Sequence, residues 1–194
     1  MAVTLASELK LPCGAVLPNR LAKAAMTEGL ATPDGRPTPE LERLYGLWAD
    51  GGSGMLLSGN IIVDADHLER PGNVVIDREP DTDMQARLAR WAAAATRQGN
   101  HFWAQISHGG RQTQKLVNPH PKSSSDVAVA LPGGQFGKPT PLTKTEIAIP
   151  FAQGEPPDRR IRRQLGEPRA VPARNRRRGA RGSGAGLPRL GQAQ

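Results

Sequence analysis

Four clusters in this chain hold the residue types that could do chemistry. Asn19-Arg20 is followed closely by Ala25-Met26-Thr27; then come Ser58-Gly59-Asn60 and Gln105-Ile106-Ser107-His108-Gly109-Gly110-Arg111. A long Pro/Gly/Ser segment, Ser107–Pro141, is the fourth. The set consists of small residues that let a backbone come close, one hydroxyl, amides, an imidazole and a guanidinium. Taken singly, Thr27 reads as a turn hydroxyl and Gln105 as a strand-end polar residue, so their order along the chain carries the weight. His67, His101 and His120 lack ligand spacing and read as surface or packing residues, and no metal site is expected. Cys13 is the one cysteine, which excludes an internal disulfide, and it reads as an inert hairpin thiol.

Elements that would position these clusters can be read in turn. Glu8–Leu17 alternates around Pro12–Gly14 and suits a small hairpin. Leu21–Met26 is expected as a buried strand, with a turn at Pro33-Asp34-Gly35. Thr38 and Pro39 supply an N-cap and first-turn proline for a helix. Its apolar positions are Leu41, Leu44, Tyr45 and Trp48, and Gly51-Gly52 ends it. Gly54–Ser58 is a short apolar strand. Pro80–Gly99 forms a second helix with Met84, Leu88, Trp91, Ala92 and Ala95 on one face. His101–Ile106 is a third strand. Trp48 and Trp91 are expected in the core. Thr143 and Glu146 make a capping box, with Leu142 and Ile147 as its staple, for a helix that stops at Pro150.

Strand and helix alternating at this pace give an α/β fold with a parallel sheet. All clusters but the Asn-Arg pair then fall at the C-terminal ends of strands, where such folds place their sites. The ordered set, above all Q-x-x-H-x-G-R with N-R-x-x-x-A-A-M-T upstream, resembles the Old Yellow Enzyme family of FMN-dependent NAD(P)H oxidoreductases, over roughly Leu9 to Ile147. That resemblance implies a (β/α)₈ TIM barrel, of which about the first three βα units are here; such barrels usually take about 250 residues. It implies FMN as cofactor, NAD(P)H as electron donor, and an activated alkene or other small acceptor as substrate. Ala25 and Met26 would lie against the flavin through their main chain, and Thr27 would direct its hydroxyl toward the O4/N5 region. Gly59 would let the strand end approach the ring, and Gln105 would bond the pyrimidine edge. His108 and Arg111 match the motif without an assigned role. The substrate-anchoring histidine pair, the proton-donating tyrosine and the phosphate site come later in the family's barrel. The matched residues therefore describe half a pocket, and the expectation is little or no turnover.

Charge divides the chain. Residues 1–150 are neutral, whereas 151–194 hold eleven arginines against three acidic residues and so carry the whole net charge of +8. The division gives two regions: 1–150, the N-terminal part of the barrel, and 151–194, an arginine-rich tail expected to be disordered. Back-translated from Ala148 and read one nucleotide out of frame, permitted codons give QFLSPRVNRRTDEYGGSLENRARFLLEIV, which resembles a later segment of the same family. A deletion with a frameshift at the junction is the reading. Eleven arginines could also contact nucleic acid non-specifically, a reading in which the tail is incidental electrostatics. A structural fragment without activity is the third alternative. Flavin absorbance separates the first reading from the others, and steep salt dependence of DNA binding would mark the second. Met1–Lys10 has no basic stretch followed by an apolar run, and no apolar run approaches a membrane span, so a cytoplasmic protein is expected.

Overall fold

The computed structural model describes residues 2–147. The segment 151–194, with its expected disorder, and the stop at Pro150 lie outside the described residues.

Strands β1 (Leu9–Lys10) and β2 (Val16–Leu17) form the expected antiparallel hairpin, Leu9 opposite Leu17. Gly14 turns it at φ 91°, a conformation that costs glycine little. Then follow β3 (Ala22–Lys23), α1 (Pro39–Asp50), β4 (Met55–Ile62), β5 (Val74–Val75), α2 (Thr82–Ala95), β6 (His101–Ser107), β7 (Lys122–Ser123) and β8 (Thr140–Pro141). Strands β3, β5 and β6 all run parallel to β4. β6 takes one edge of β4 along its length. On the other edge, β3 pairs with the start of β4 (Ala22 with Met55) and β5 with its end (Ile61 with Val74).

The helix starts follow local chemistry. The Thr38 hydroxyl accepts the Leu41 N–H at 3.3 Å, and Asp81 accepts the Met84 N–H at 2.8 Å. Gly52 closes α1 at φ 82°. Both helices cover one face of the sheet. Leu41, Tyr45 and Ala49 of α1 and Met84, Leu88, Trp91 and Ala95 of α2 pack with Leu56 and Ile61 of β4 in one core. Tyr45 is its centre: its ring meets Trp48, Trp91 and Phe102 edge-on, with centroids 4.9, 5.2 and 5.2 Å away. Such edge-to-face pairs each add about 0.5–1.5 kcal/mol beyond area burial.

Three expectations change. Leu21–Met26 is not a buried strand: only Ala22–Lys23 pair, and Leu21 and Met26 are 44% and 49% exposed. Among the described residues α1 and α2 cover the one sheet face onto which Lys23 projects, so an apolar run there is not buried all round. Strand β4 continues to Ile62 instead of ending at Ser58: Ser58-Gly59-Asn60 interrupts its apolar pattern, but its pairing with β6 resumes at Asn60 after a register shift. The segment after β6 is not structureless. It holds a single 3₁₀ turn at Gly110–Gln112 and the parallel pair β7–β8, Lys122 with Thr140. A two-residue pairing is too short to leave an alternation in sequence, which also hid β5. The capping box is present: Thr143 N–H donates to Glu146 Oε2 at 2.8 Å and Glu146 N–H to the Thr143 hydroxyl at 3.2 Å. Ile147, expected in its staple, is 51% exposed.

Leu88 is fully buried between the helices and the sheet. Leu88→Ala should therefore lower the unfolding free energy by about 2–5 kcal/mol. Urea denaturation at unchanged slope checks this; a loss below about 1 kcal/mol would show that α2 does not pack as described.

Candidate functional site

The site is built on an irregularity in β4. Leu57 pairs with Trp103, yet the next partner of β6 is Asn60 with Gln105, so β4 carries one extra residue between them. This is a β-bulge at Ser58-Gly59. Leu57, Asn60, Trp103 and Gln105 therefore share the sheet face that no helix covers among the described residues, where Trp103 is 41% exposed.

A bulge takes backbone groups out of the ladder, and buried ones must find partners. Here side chains supply them. The Gln105 N–H donates to the Ser58 hydroxyl at 2.8 Å. The Leu57 carbonyl accepts from Lys23 Nζ at 2.7 Å. The Gly59 N–H is shared between Glu28 Oε1 at 2.9 Å and the Tyr45 oxygen at 3.0 Å. Tyr45 donates its own proton to Glu28. Burial, then the Glu28 carboxylate, hold the Tyr45 phenol well above its ordinary pKa. Burial likewise lowers the Lys23 pKa, with Glu28 opposing. The Lys23 ammonium also lies 4.3 Å from the centre of the Trp48 ring.

The sequence-predicted residues gather around this bulge. Gly59 is buried, and the Met26 carbonyl and Glu28 carboxylate stand where a β-carbon on it would be. The Ala25–Thr27 segment is thus against Gly59 directly. Thr27 points its hydroxyl at Glu69, donating to Oε2 at 3.0 Å. Gln105 is exposed on the open face and donates through Nε2 to Asn60 Oδ1 at 2.6 Å. Asn19 is structural: Oδ1 accepts the Leu21 and Gly54 N–H groups at 3.0 and 2.8 Å, and Nδ2 donates to the Gly52 carbonyl at 2.8 Å. It pins the hairpin region to the turn before β4. Arg111 is exposed. Glu28, Lys23, Tyr45 and Glu69 were not anticipated. Tyr45 was read as core only, and a lone carboxylate after Thr27 leaves no periodic signal.

A second cluster anchors the long segment after β6. Asp64, His67 and His108 bring potential ligand atoms within 4.8 Å of one another. The hydrogen bonds argue against a metal. His67 Nε2 accepts the Lys122 N–H at 2.7 Å, and His108 Nδ1 accepts the Gly110 N–H at 3.1 Å. Each ring's lone pair is therefore taken on its far side, leaving its proton on the nitrogen facing Asp64, at 2.9 Å for His67 Nδ1 and 3.7 Å for His108 Nε2. A cation there would need lone pairs where the rings carry protons. His67, 6% exposed, is a packing residue as expected. Gly109 lies flat against it, donating its N–H to the His67 carbonyl at 2.9 Å where a β-carbon would meet that oxygen at 2.5 Å. Burial opposes charge on Asp64, but the His67 contact and the Asp66 N–H outweigh it and lower its pKa. Burial, then His67, push the His108 pKa below its ordinary value, with Asp64 opposing.

Comparisons with known proteins place this geometry. The chain is 34% identical over 146 residues to the NADH-dependent flavin oxidoreductase iliE of Hypocrea jecorina, a match covering 75% of this chain and 36% of that protein. It is 36% identical over 141 residues to the NADH-dependent flavin oxidoreductase nadA of Aspergillus parasiticus, covering 67% and 32%. The chain thus spans about a third of the length of these relatives. Among solved structures, the old yellow enzyme homologue from Zymomonas mobilis superposes with a TM-score of 0.69 at 20% identity, over 84% of this chain and 46% of that one. Morphinone reductase gives 0.66 at 22%, with the same coverage. These likenesses show a shared fold. No family model matches the chain. Among the described residues no helix is long and apolar enough to cross a membrane.

The depressed His108 pKa has a sign. The unfolded chain takes up a proton near the ordinary imidazole value of 6.5 before the folded one does, so acid favours unfolding. The stability tied to this ring is present above pH 6.5 and lost as pH falls through the lower folded pKa. Melting curves at pH 7.5 and 5.5 should show a larger acid-induced drop for the native chain than for His108→Gln. Equal drops would remove His108 from this role.

Proposed function

Because the described part of the chain belongs to the Old Yellow Enzyme family of flavin oxidoreductases, we propose that it forms the ring side of an FMN site in an NAD(P)H-dependent, ene-reductase-type oxidoreductase. In this reading residues 2–147 are the first three βα units of a (β/α)₈ barrel, within an N-terminal region 1–150 followed by the arginine-rich 151–194. The protein works in the cytoplasm on a small electron acceptor such as an activated alkene.

The observation that carries the reading is the Gln105–Asn60 amide pair. It lies on the open sheet face at the bulge, and the exposed Met26 belongs to the segment packed against that bulge. With Gln105 Nε2 committed to Asn60, the Gln105 carbonyl and the Asn60 amide N–H groups have no other partner among the described residues. An acceptor and a donor so placed fit the imide-like pyrimidine edge of a flavin, which offers an N–H between carbonyls. FMN, when bound, supplies the hydride chemistry between a reduced nicotinamide and the acceptor. The chain's own work is to hold and orient. Gln105 and Asn60 bond the pyrimidine edge, and Ala25 and Met26 offer main chain to the ring. Gly59, at the bulge inside β4, leaves room for the Met26 main chain to come close. Thr27 directs its hydroxyl toward the O4/N5 region by exchanging its bond to Glu69 for one to the flavin.

In the family the phosphate is held late in the barrel, beyond the span matched here. Charge-assisted phosphate contacts are roughly twice as strong as neutral hydrogen bonds. The 194-residue chain alone therefore binds FMN weakly and turns over little. FMN titration of the purified chain, followed by fluorescence quenching, should show weak saturable binding, reduced at least tenfold in Gln105→Ala. Under anaerobic conditions with NADPH and cyclohexenone, enone reduction should stay near that of free flavin. Absence of any saturable quenching, or equal quenching by the variant, would sink the reading.

A further inference from the structure

Two backbone pieces are assigned to the flavin ring, and they come from different places in the chain. Ala25–Thr27 follows β3, and Gly59 lies inside β4. One side chain joins them. Glu28 is the residue next to Thr27, and its Oε1 accepts the Gly59 N–H at 2.9 Å. The same oxygen accepts the proton of Tyr45, whose oxygen in turn lies 3.0 Å from the Gly59 nitrogen. The three groups close a triangle of hydrogen bonds. Tyr45 is fully buried and wedged between three aromatic rings, so the corner it forms cannot drift. Lys23 supports the carboxylate electrostatically while its ammonium holds the Leu57 carbonyl at 2.7 Å, on the other side of the bulge.

We propose that Glu28, held by Tyr45, is a positioning residue for the flavin: it fixes the distance between the Ala25–Thr27 main chain and Gly59 without itself meeting the cofactor. The inference rests on the FMN reading above. A carboxylate suits the task because two donors converge on one oxygen, and a charged acceptor strengthens both bonds. Glutamine keeps a carbonyl oxygen that can accept both, more weakly. Alanine keeps neither: the Gly59 N–H is left with the Tyr45 oxygen alone, and the Tyr45 hydroxyl with only the Leu57 carbonyl at 3.4 Å.

The test uses the full 194-residue chain and two readouts. Amide exchange at Gly59 is followed without flavin, and FMN titration is followed by fluorescence quenching and by the visible spectrum of the bound flavin. Glu28→Ala should speed Gly59 exchange at least tenfold, weaken FMN binding at least tenfold and shift the visible band. Glu28→Gln should restore most of all three, which a role limited to packing would not require. Should Glu28→Ala fail to fold, the pair Glu28→Gln with Tyr45→Phe takes its place, and the visible band must move in that double variant. Unchanged exchange in Glu28→Ala overturns the contact and the proposal with it. Faster exchange with FMN affinity and spectrum unchanged overturns the positioning role alone. Faster exchange in a protein whose native form gives no quenching overturns the flavin reading, and the positioning role falls with it.

Discussion

One side chain has to be apolar along its body and polar at its tip, and the fold is arranged around that demand. The ring of Tyr45 is the centre of the core between α1, α2 and the sheet. Its hydroxyl emerges from that core beside the one place where β4 leaves regular pairing. Left without partners, a buried hydroxyl costs about 1–3 kcal/mol, comparable to a large share of a small domain's net stability. Glu28 and Gly59 meet that need, and in doing so tie the packed interior to the edge where the site is formed. Packing and site geometry are thus coupled through a single phenol.

The same economy of partners governs the segment after β6. Thirty-odd residues without long strands or helices must still find hydrogen bonds for their backbone. Imidazoles supply two of them: His67 and His108 accept amides from Lys122 and Gly110, with their other ring nitrogens on the side of Asp64. The tautomer of each ring is set from outside, by the loop it anchors. This is why three residues that look like a metal-binding trio on distance alone are better described as a fastening.

Much of this was legible in the sequence. Thr38-Pro39 and the Gly51-Gly52 stop bounded α1 correctly, because capping and glycine chemistry act locally. Of the face expected on α2, Met84, Leu88, Trp91 and Ala95 are buried and Ala92 is half-buried, and the helix spans Thr82–Ala95 instead of Pro80–Gly99. The motif around Gln105 reached the end of the strand expected of it. What stayed hidden was non-local. Whether Leu21–Met26 is buried depends on which sheet face the helices cover, and no residue in that stretch records it. β5 and β7 are too short to alternate. Glu28 and Lys23 matter only through the backbone groups that a bulge some thirty residues later sets free. His67 is buried, and its ring accepts the N–H of Lys122, 55 residues further along the chain.

The bulge also keeps count. In a regular strand side chains alternate between faces, and β4 in effect runs two alternations out of phase, joined at Ser58-Gly59. Before the joint, Leu56 faces the helices and Leu57 faces away. After it, Asn60 faces away and Ile61 returns to the core. Loss of one residue at the joint would close the bulge: Leu57 and Asn60 would stand two residues apart on one face, opposite Trp103 and Gln105, and every side chain downstream would keep its direction. The extra residue therefore aims no side chain. It takes the Gly59 N–H out of the ladder for Glu28 and Tyr45, so the tie between core and site depends on β4 being one residue longer than its neighbour at this point.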